Sequence, residues 1–203
     1  YITYTNKYME TVWWLVKQLY TKELMYQGYT IQPYSPAAGT GLSSAEVNME
    51  GCYQDVKDTT VVAQFKVISP EFKDTWGVEG DVHILAWTTT PWTLPSNTAL
   101  CVGPKIEYSL VKSFNQYTGE FIQVIIGSPL VEKQFSGKFF AVDSEEYLVF
   151  KEGDKKIPFF VDKRFSGNDL VGIRYEQLLK GCLPYQDAEK AFQIIKGDFV
   201  TTE

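Results

Sequence analysis

The sequence predicts an α+β protein in which one β-rich domain follows a helical lead-in. Three observations support this prediction: an amphipathic pattern over residues 7–27, a stretch rich in glycine, proline and serine from Gly28 to Gly51, and short runs of branched and aromatic residues after it. With 203 residues, of which 44 % are hydrophobic and 22 % charged, the chain can bury one core of ordinary size.

The lead-in is predicted to be one helix over residues 7–27. Its apolar side chains recur on a single helical stripe: Tyr8, Val12, Leu15, Val16 and Leu19. Asn6 and Gly28 are residue types that commonly cap a helix start and a helix end. Because loop-forming residues follow, we expect a lead-in and connecting segment over residues 1–45 and a β-rich domain over residues 46–203.

Strands are predicted wherever branched and aromatic residues form short runs bounded by turn residues. These runs are residues 59–68, 81–90, 98–102, 107–114, 120–126, 146–150 and 157–161. Short helices are predicted over residues 128–135 and 187–195, and the segment 167–179 has both helical and strand signals. No internal repeat or heptad array is present in the sequence, so a single α+β domain is the simplest arrangement.

The charge and histidine content exclude several classes of function. Lysine and arginine number 19 and aspartate and glutamate 25, and the net charge of −6 argues against a protein that grips long stretches of nucleic-acid backbone. The only histidine is His83, so a Ser-His-Asp site or a histidine-metal site would depend on one ring. His83 lies on the same face of a predicted strand as Leu85 and Trp87, and we expect a packed or edge histidine rather than a catalytic one.

The cysteines and the lack of long apolar runs indicate a protein of a reducing compartment. Cys52, Cys101 and Cys182 are odd in number and form no C-x-x-C pair, so neither a disulfide framework nor a zinc site is predicted. No apolar run approaches the roughly 18 residues of a membrane span, and residues 1–10 lack the pattern of a signal peptide. We therefore expect a cytoplasmic monomer with no membrane partner.

The most unusual segment is WTTTPWTLPSN at residues 87–97, which ends a hydrophobic strand with two prolines. It brings four threonine hydroxyls, one serine hydroxyl and one amide into a short turn without any charge. Such groups suit a sugar hydroxyl, a carbonyl or a water better than a metal or a phosphate. Because threonine is also a common strand residue, composition alone leaves a purely structural role equally open.

This segment resembles the threonine-rich peptide of the editing domain of isoleucyl-tRNA synthetases, a module inserted into their class I catalytic domain. Residues 7–20 and the sequence LSSAE at 42–46 resemble the helix and the strand that lead into the insertion, and residues 52–65 and 167–179 resemble segments of it. The valyl and leucyl enzymes usually have T-T-R-P where residues 88–91 of this chain read T-T-T-P, which favours the isoleucyl branch.

The resemblance implies a barrel-like editing domain that hydrolyses valine from mischarged tRNA(Ile), with valyl adenylate as a further substrate. Thr88, Thr89 and Thr90 would line the pocket for the terminal adenosine and the valyl ester and would place the attacking water. Trp92 would pack or contact the substrate, and Asn97 would bind the substrate or brace the turn. No metal or cofactor is implied for editing. The sequence lacks the H-I-G-H and K-M-S-K-S type motifs, so ATP would be bound only by the full-length synthetase.

The family pattern also includes a carboxylate that this chain does not match. A motif of the kind G-T-G-x-V-H-x-A-P, followed by an aspartate that binds the substrate's ammonium group, normally comes after a stretch like residues 197–203. Asp198 and Glu203 do not match that aspartate, so we expect the editing domain to be C-terminally incomplete here and weakly active alone. The alternative is a module that binds the tRNA acceptor end or an adenosine-like ligand without hydrolysis.

Overall fold

The computed structural model describes residues 2–151, 153–181 and 183–202, and the chain divides into two compact units after Lys57. The sequence-based division after residue 45 stays a prediction. Across the described ranges, no helix combines the length and the apolar character that crossing a membrane requires.

The first unit begins with helix α1 (Asn6–Thr21), none of whose residues is buried. Thr5 occupies the N-cap position, and Glu23, at φ 55°, adopts the left-handed conformation just after the helix. The predicted caps Asn6 and Gly28 are therefore wrong, as is the helical extension towards residue 27. The apolar stripe was sound evidence for a helix, but it does not fix where the backbone leaves the helical conformation.

The rest of the first unit is a small hairpin and a single helical turn. Strand β1 (Tyr34–Ser35) pairs antiparallel with β2 (Thr40–Gly41), and α2 (Ser44–Val47) follows. A capping box fixes the start of α2, because Ser43 Oγ accepts the backbone N–H of Glu46 while the Glu46 carboxylate accepts the backbone N–H of Ser43 at 2.7 Å.

The second unit is built mainly from strands. In chain order it contains β3 (Val61–Lys66), α3 (Pro70–Trp76), β4 (Val82–Thr88), β5 (Ala99–Val102), β6 (Glu107–Phe114), β7 (Phe121–Gly127), α4 (Val131–Gln134), β8 (Phe139–Ala141), β9 (Ile157–Ser166), α5 (Gly167–Leu170) and β10 (Gln193–Lys196). Six of the seven predicted strands are confirmed, with ends that shift by a few residues, and a 3-10 turn followed by α4 confirms the short helix predicted over residues 128–135.

Six of these strands form one mixed sheet in the order β3-β4-β7-β6-β9-β8. Strand β4 is parallel to β7 and β8 is parallel to β9, whereas the other neighbours are antiparallel. Asp162 forms a bulge in β9, since Leu110 of β6 faces Lys163 and Val111 faces Val161. Strands β5 and β10 form a separate parallel pair.

The α+β content agrees with the predicted fold class, but a barrel is not confirmed. Strands β3 and β8 are the two edges of the six-stranded sheet, so the strands in the described ranges do not close into a ring. Two single bridges, Val67 with Tyr175 and Arg174 with Gln193, link the end of β3 to β10. This link joins the β5–β10 pair to the end of β3, which lies beside the start of β4.

Apolar side chains pack on both faces of the six-stranded sheet. The larger cluster includes Phe65, Val82, Leu110, Ile125, Phe165, Leu170, Tyr175 and Ile194. The smaller cluster consists of Val111, Val124, Ile126, Val131, Phe135 and Phe159. The alternation of side chains along each strand accounts for both clusters, because neighbouring residues such as Leu110 and Val111 point to opposite faces.

Two predicted elements are wrong. Residues 187–195 were expected to be helical, but they form a 3-10 turn (Ala188–Lys190) and then β10, because Phe192 at φ 61° cannot continue a helix. Residues 146–150 were expected to be a strand, but they begin within a 3-10 turn (Glu145–Tyr147) that a serine hydroxyl caps. In both cases local backbone geometry outweighs the apolar pattern.

Candidate functional site

A cleft of about 470 Å³ opens where β4 ends, the chain turns, and β5 begins. The turn is a 3-10 helix over Pro91–Ser96, which contains both prolines of the segment. The residues that line the cleft are Phe65, Ala86, Trp87, Thr88, Thr93, Leu94, Ser96, Asn97, Thr98, Ala99 and Leu100. We refer to residues 87–97 as the threonine-rich turn and to this cavity as the cleft.

Hydrogen bonds among threonines shape the start of the turn. The Thr88 hydroxyl oxygen accepts the backbone N–H of Thr90 at 3.0 Å and lies 3.3 Å from the Thr90 hydroxyl. The Thr93 hydroxyl donates to the Thr90 carbonyl at 2.7 Å. A hydroxyl has one proton and two lone pairs. Thr93 uses its proton on the Thr90 carbonyl and retains lone pairs to accept a bond, and Thr88 keeps its proton for another acceptor when Thr90 is the donor between the two hydroxyls. The cleft thus has both a donor and an acceptor on its wall.

Asn97 holds the other end of the turn. Its side-chain oxygen accepts the Tyr175 hydroxyl at 2.7 Å, and its side-chain nitrogen donates to the Ala99 carbonyl at 3.0 Å. Tyr175 is fully buried, and burial raises the pKa of its hydroxyl to about 12. The hydroxyl therefore stays protonated and remains a donor at any physiological pH.

The predicted site residues all lie in the threonine-rich turn, but only two of them line the cleft. Thr88 and Asn97 are half-buried and line it, whereas Thr89 and Thr90 are exposed and do not. Trp92 is 67 % exposed and also lies outside the lining, so its packing role is not borne out. The substrate roles of all five residues stay predictions.

Several lining residues were not singled out from the sequence. Thr93 and Ser96 belong to the same hydroxyl-rich segment, so the composition of that segment was the signal that could have identified them. Thr98 lies just past the segment. Phe65 comes from β3, and nothing in the local sequence connects it with the turn.

The cleft is uncharged. Apolar surface comes from Phe65, Ala86, Leu94, Ala99 and Leu100, and the remaining side chains offer neutral hydroxyl, amide and indole groups. No acidic or basic side chain is among the lining residues of the described chain. Such a surface can take a small apolar group together with neutral hydrogen-bonding groups such as hydroxyls and carbonyls. Nor do the described residues contain a cluster of three or more histidine, cysteine, aspartate or glutamate side chains that could hold a metal.

His83 and the cysteines lie outside this site. His83 is half-buried in β4 opposite Lys66, its Nδ1 atom has no hydrogen-bond partner, and burial lowers its pKa. Cys52 is exposed and Cys101 is half-buried, and both are free. Cys182 lies outside the described residues.

A second groove of about 560 Å³ lies on the other face of the sheet. Its lining includes Val62, Gln64, Leu85, Asn115, Tyr117, Gln134 and Phe139. Gln64 alternates with Phe65 along β3, so the two cavities lie on opposite faces of that strand.

Comparison with known proteins identifies relatives over the whole chain. Residues 1–189 match the family described as tRNA synthetases class I (I, L, M and V). An isoleucine–tRNA ligase of Bacteroides fragilis is 58 % identical over 203 residues, and one of Cytophaga hutchinsonii is 54 % identical over 205 residues. Each alignment covers all of this chain, and the chain spans 17 % of the length of these curated relatives.

Among solved structures, one described as the crystal structure of GlLeuRS-CP1 has a TM-score of 0.44 and 16 % sequence identity with this chain. The match covers 70 % of this chain and 49 % of that one.

Proposed function

Because the chain belongs to the class I tRNA synthetases, in the group of I, L, M and V enzymes, we propose that it is the editing segment of an isoleucyl-tRNA synthetase. In this role it hydrolyses the ester that joins valine to tRNA(Ile), with valyl adenylate as a second substrate. The relatives that support the isoleucyl branch are named isoleucine–tRNA ligases. The observation that supports the site is the uncharged, part-apolar cleft that the threonine-rich turn lines.

The reaction has a clear physical motive. A hydrophobic pocket gains only about 1–3 kcal/mol from one methylene, roughly 10–200-fold, and the choice of isoleucine over valine by the isoleucyl enzyme is the standard illustration of this limit. A second site must therefore remove valine after it has been joined to the tRNA. In this proposal the cleft accepts the valyl side chain against Phe65 and Leu100 and excludes the larger isoleucyl side chain by size.

The hydroxyls of the cleft supply positioning rather than acid–base chemistry. In this proposal the Thr90 hydroxyl donates to Thr88, so the Thr88 proton is available for the ester carbonyl. The Thr93 hydroxyl oxygen accepts a hydrogen bond from the attacking water, because its own proton is bonded to the Thr90 carbonyl. Water adds to the carbonyl carbon, the carbon–oxygen ester bond breaks, and valine and the ribose hydroxyl are released. An aminoacyl ester is already reactive, so placing the water at about 3–3.5 Å contributes most of the acceleration. No cofactor enters this scheme.

The ammonium group of valine needs a carboxylate. None of the lining residues is acidic, so in this proposal the anchoring carboxylate lies elsewhere in the synthetase, as the resemblance implies. Because misplacement by about 1 Å can cost on the order of 100-fold, the 203-residue chain alone should hydrolyse the ester at least about tenfold more slowly than the whole synthetase.

A second candidate function is binding without hydrolysis. The absence of any titratable side chain from the lining of the described cleft favours it, because no general base stands ready to take a proton from water. The chain would then receive the 3′-adenosine of tRNA(Ile) and only hold it.

Deacylation kinetics distinguish the two candidates. The whole synthetase that contains this segment is mixed with Val-tRNA(Ile) or with Ile-tRNA(Ile), and ester hydrolysis is followed over a single turnover. Editing predicts fast loss of the valyl ester and retention of the isoleucyl ester. Turnover of the valyl ester at the rate without enzyme, with saturable binding of the tRNA end, would contradict editing and favour the binding module.

A further inference from the structure

The threonine-rich turn is tied to the core through one buried tyrosine. Tyr175 has no exposed surface, and its ring packs edge-on against Phe65, with the centroids 5.2 Å apart. Its hydroxyl donates to the side-chain oxygen of Asn97 at 2.7 Å. Asn97 lines the cleft and Tyr175 does not, so the tyrosine can affect a bound substrate only through its neighbours.

This hydrogen bond fixes the orientation of an amide. Asn97 has one donor end and one acceptor end, and the structure uses both, because the oxygen accepts from Tyr175 while the nitrogen donates to the Ala99 carbonyl. Tyr175 is fully buried, so loss of its hydroxyl would leave the Asn97 oxygen without this partner. The amide would then be held only through its nitrogen, by the bond to the Ala99 carbonyl.

Backbone hydrogen bonds also link Tyr175, through Phe192, to Thr98, the residue after Asn97. The Tyr175 N–H donates to the Phe192 carbonyl at 2.9 Å, and the Phe192 N–H donates to the Thr98 carbonyl at 2.7 Å. Phe192 makes these contacts at φ 61°, a conformation that a bulky side chain adopts only when its surroundings enforce it. Two adjacent cleft residues, Asn97 and Thr98, are thus bonded to the pair formed by Tyr175 and Phe192.

We infer that Tyr175 is a positioning residue for ester hydrolysis, acting through Asn97 to hold the threonine-rich turn in its reactive geometry. The inference rests on the proposed function. Small displacements of reacting groups are costly, since about 1 Å can cost on the order of 100-fold. Most of the cleft surface does not depend on the Tyr175 hydroxyl. Removal of this hydroxyl should therefore lower kcat while KM stays nearly constant.

The chain offers a matched control. Tyr108 is half-buried, packs against the same core cluster, and its hydroxyl oxygen accepts the Gly103 N–H at 3.0 Å. Tyr108 does not line the cleft. Replacing either tyrosine by phenylalanine removes one oxygen and one part-buried hydrogen bond, so the two variants differ in whether the lost bond reaches the cleft.

The test compares Tyr175→Phe, Tyr108→Phe, Asn97→Ala and the double variant Tyr175→Phe/Asn97→Ala in the whole synthetase. Steady-state deacylation of Val-tRNA(Ile) gives kcat and KM, thermal unfolding reports stability, and isoleucylation of tRNA(Ile) reports the integrity of the rest of the enzyme. We expect Tyr175→Phe to lower kcat about tenfold with KM nearly unchanged. Tyr108→Phe should stay within about twofold of the wild type, and Tyr175→Phe should cause no further loss when Asn97 is already alanine.

Three results would overturn the inference: Tyr175→Phe within about twofold of the wild type, equal losses of kcat in both tyrosine variants, or additive losses in the double variant. Equal losses that parallel the fall in unfolding temperature would assign Tyr175 a purely structural role. A wild-type synthetase that does not hydrolyse the valyl ester would overturn the proposed function itself, and the inference with it, so the two failures are distinguishable.

Discussion

Thr88→Val isolates the hydroxyl that the proposed mechanism uses as a donor. The substitution keeps the shape of the β-branched side chain at the end of β4 and removes the oxygen that accepts the Thr90 N–H at 3.0 Å. Thr90 is exposed, so water can replace the lost partner, and the cost to stability should be that of one ordinary hydrogen bond, about 0.5–1.5 kcal/mol. For a chain of this length such a loss lowers the unfolding temperature by about 2–4 °C per kcal/mol.

The effect on catalysis should be larger than the effect on stability. If the Thr88 hydroxyl donates to the ester carbonyl, its loss should lower the single-turnover rate constant for Val-tRNA(Ile) deacylation by roughly 10–100-fold, which corresponds to about 1.4–2.7 kcal/mol of transition-state stabilisation. Thr118→Val is the control, because the Thr118 hydroxyl likewise accepts the N–H two residues ahead, that of Glu120 at 3.3 Å, in an exposed turn outside the cleft.

The assay is single-turnover deacylation by the whole synthetase, with urea unfolding of the 203-residue chain for each variant. Thr118→Val should lose a similar amount of stability and no deacylation activity. Deacylation by Thr88→Val within about twofold of the wild type, or equal losses of activity in the two variants, would refute the role assigned to the Thr88 hydroxyl.

Three further outcomes are expected. Thr90→Arg adds a long charged side chain at an exposed position beside the cleft, so it should lower valyl-ester hydrolysis while the circular dichroism spectrum stays unchanged. Lys112→Met should lower the free energy of unfolding by about 1–2 kcal/mol, because Lys112 forms ion pairs with Glu145 at 2.8 Å and Asp162 at 3.2 Å. Burial lowers the Lys112 pKa, but the bonds to these carboxylates raise it more, so the folded-state pKa lies above the usual value of 10.5. In urea unfolding, the difference from the wild type should persist below pH 10.5 and vanish as the pH rises through the raised pKa. Burial lowers the His83 pKa below its usual value of 6.5, so near that pH the unfolded state binds more protons than the folded state. As the pH falls from about 7 to 5, the free energy of unfolding of the wild type should therefore decrease relative to that of His83→Leu, as measured by urea unfolding.

The sequence allowed the sheet to be predicted well where burial decides the structure. Strands such as β4 and β6 have alternating or continuous apolar residues, and packing on the two core clusters keeps them in place. The predictions failed where a single backbone conformation decides, as at Phe192 and Glu23, which lie at positive φ without being glycine. No pattern of side chains in the sequence predicts a positive φ at these two residues.

The site was predictable in part for a similar reason. The threonine-rich turn is continuous in sequence, so its unusual content of hydroxyls identified the wall of the cleft. The partner of Asn97 could not be found in this way, because Tyr175 lies 78 residues away and is brought near only when residues around 174 bridge β3 and β10. The sequence segment that contains Tyr175 gave mixed helical and strand signals, and its contacts depend on the assembled sheet.

The most direct measurement of the central claim locates a bound substrate analogue. A non-hydrolysable valyl-adenosine analogue is titrated into the isotopically labelled 203-residue chain, and amide chemical shifts are followed by NMR. The proposal predicts saturable shifts at Thr88, Thr93 and Asn97, with Gln64 and Gln134 of the second groove unaffected. Shifts confined to the second groove, or no saturable shifts anywhere, would contradict the assignment of the cleft as the site that receives the valyl-adenosine end.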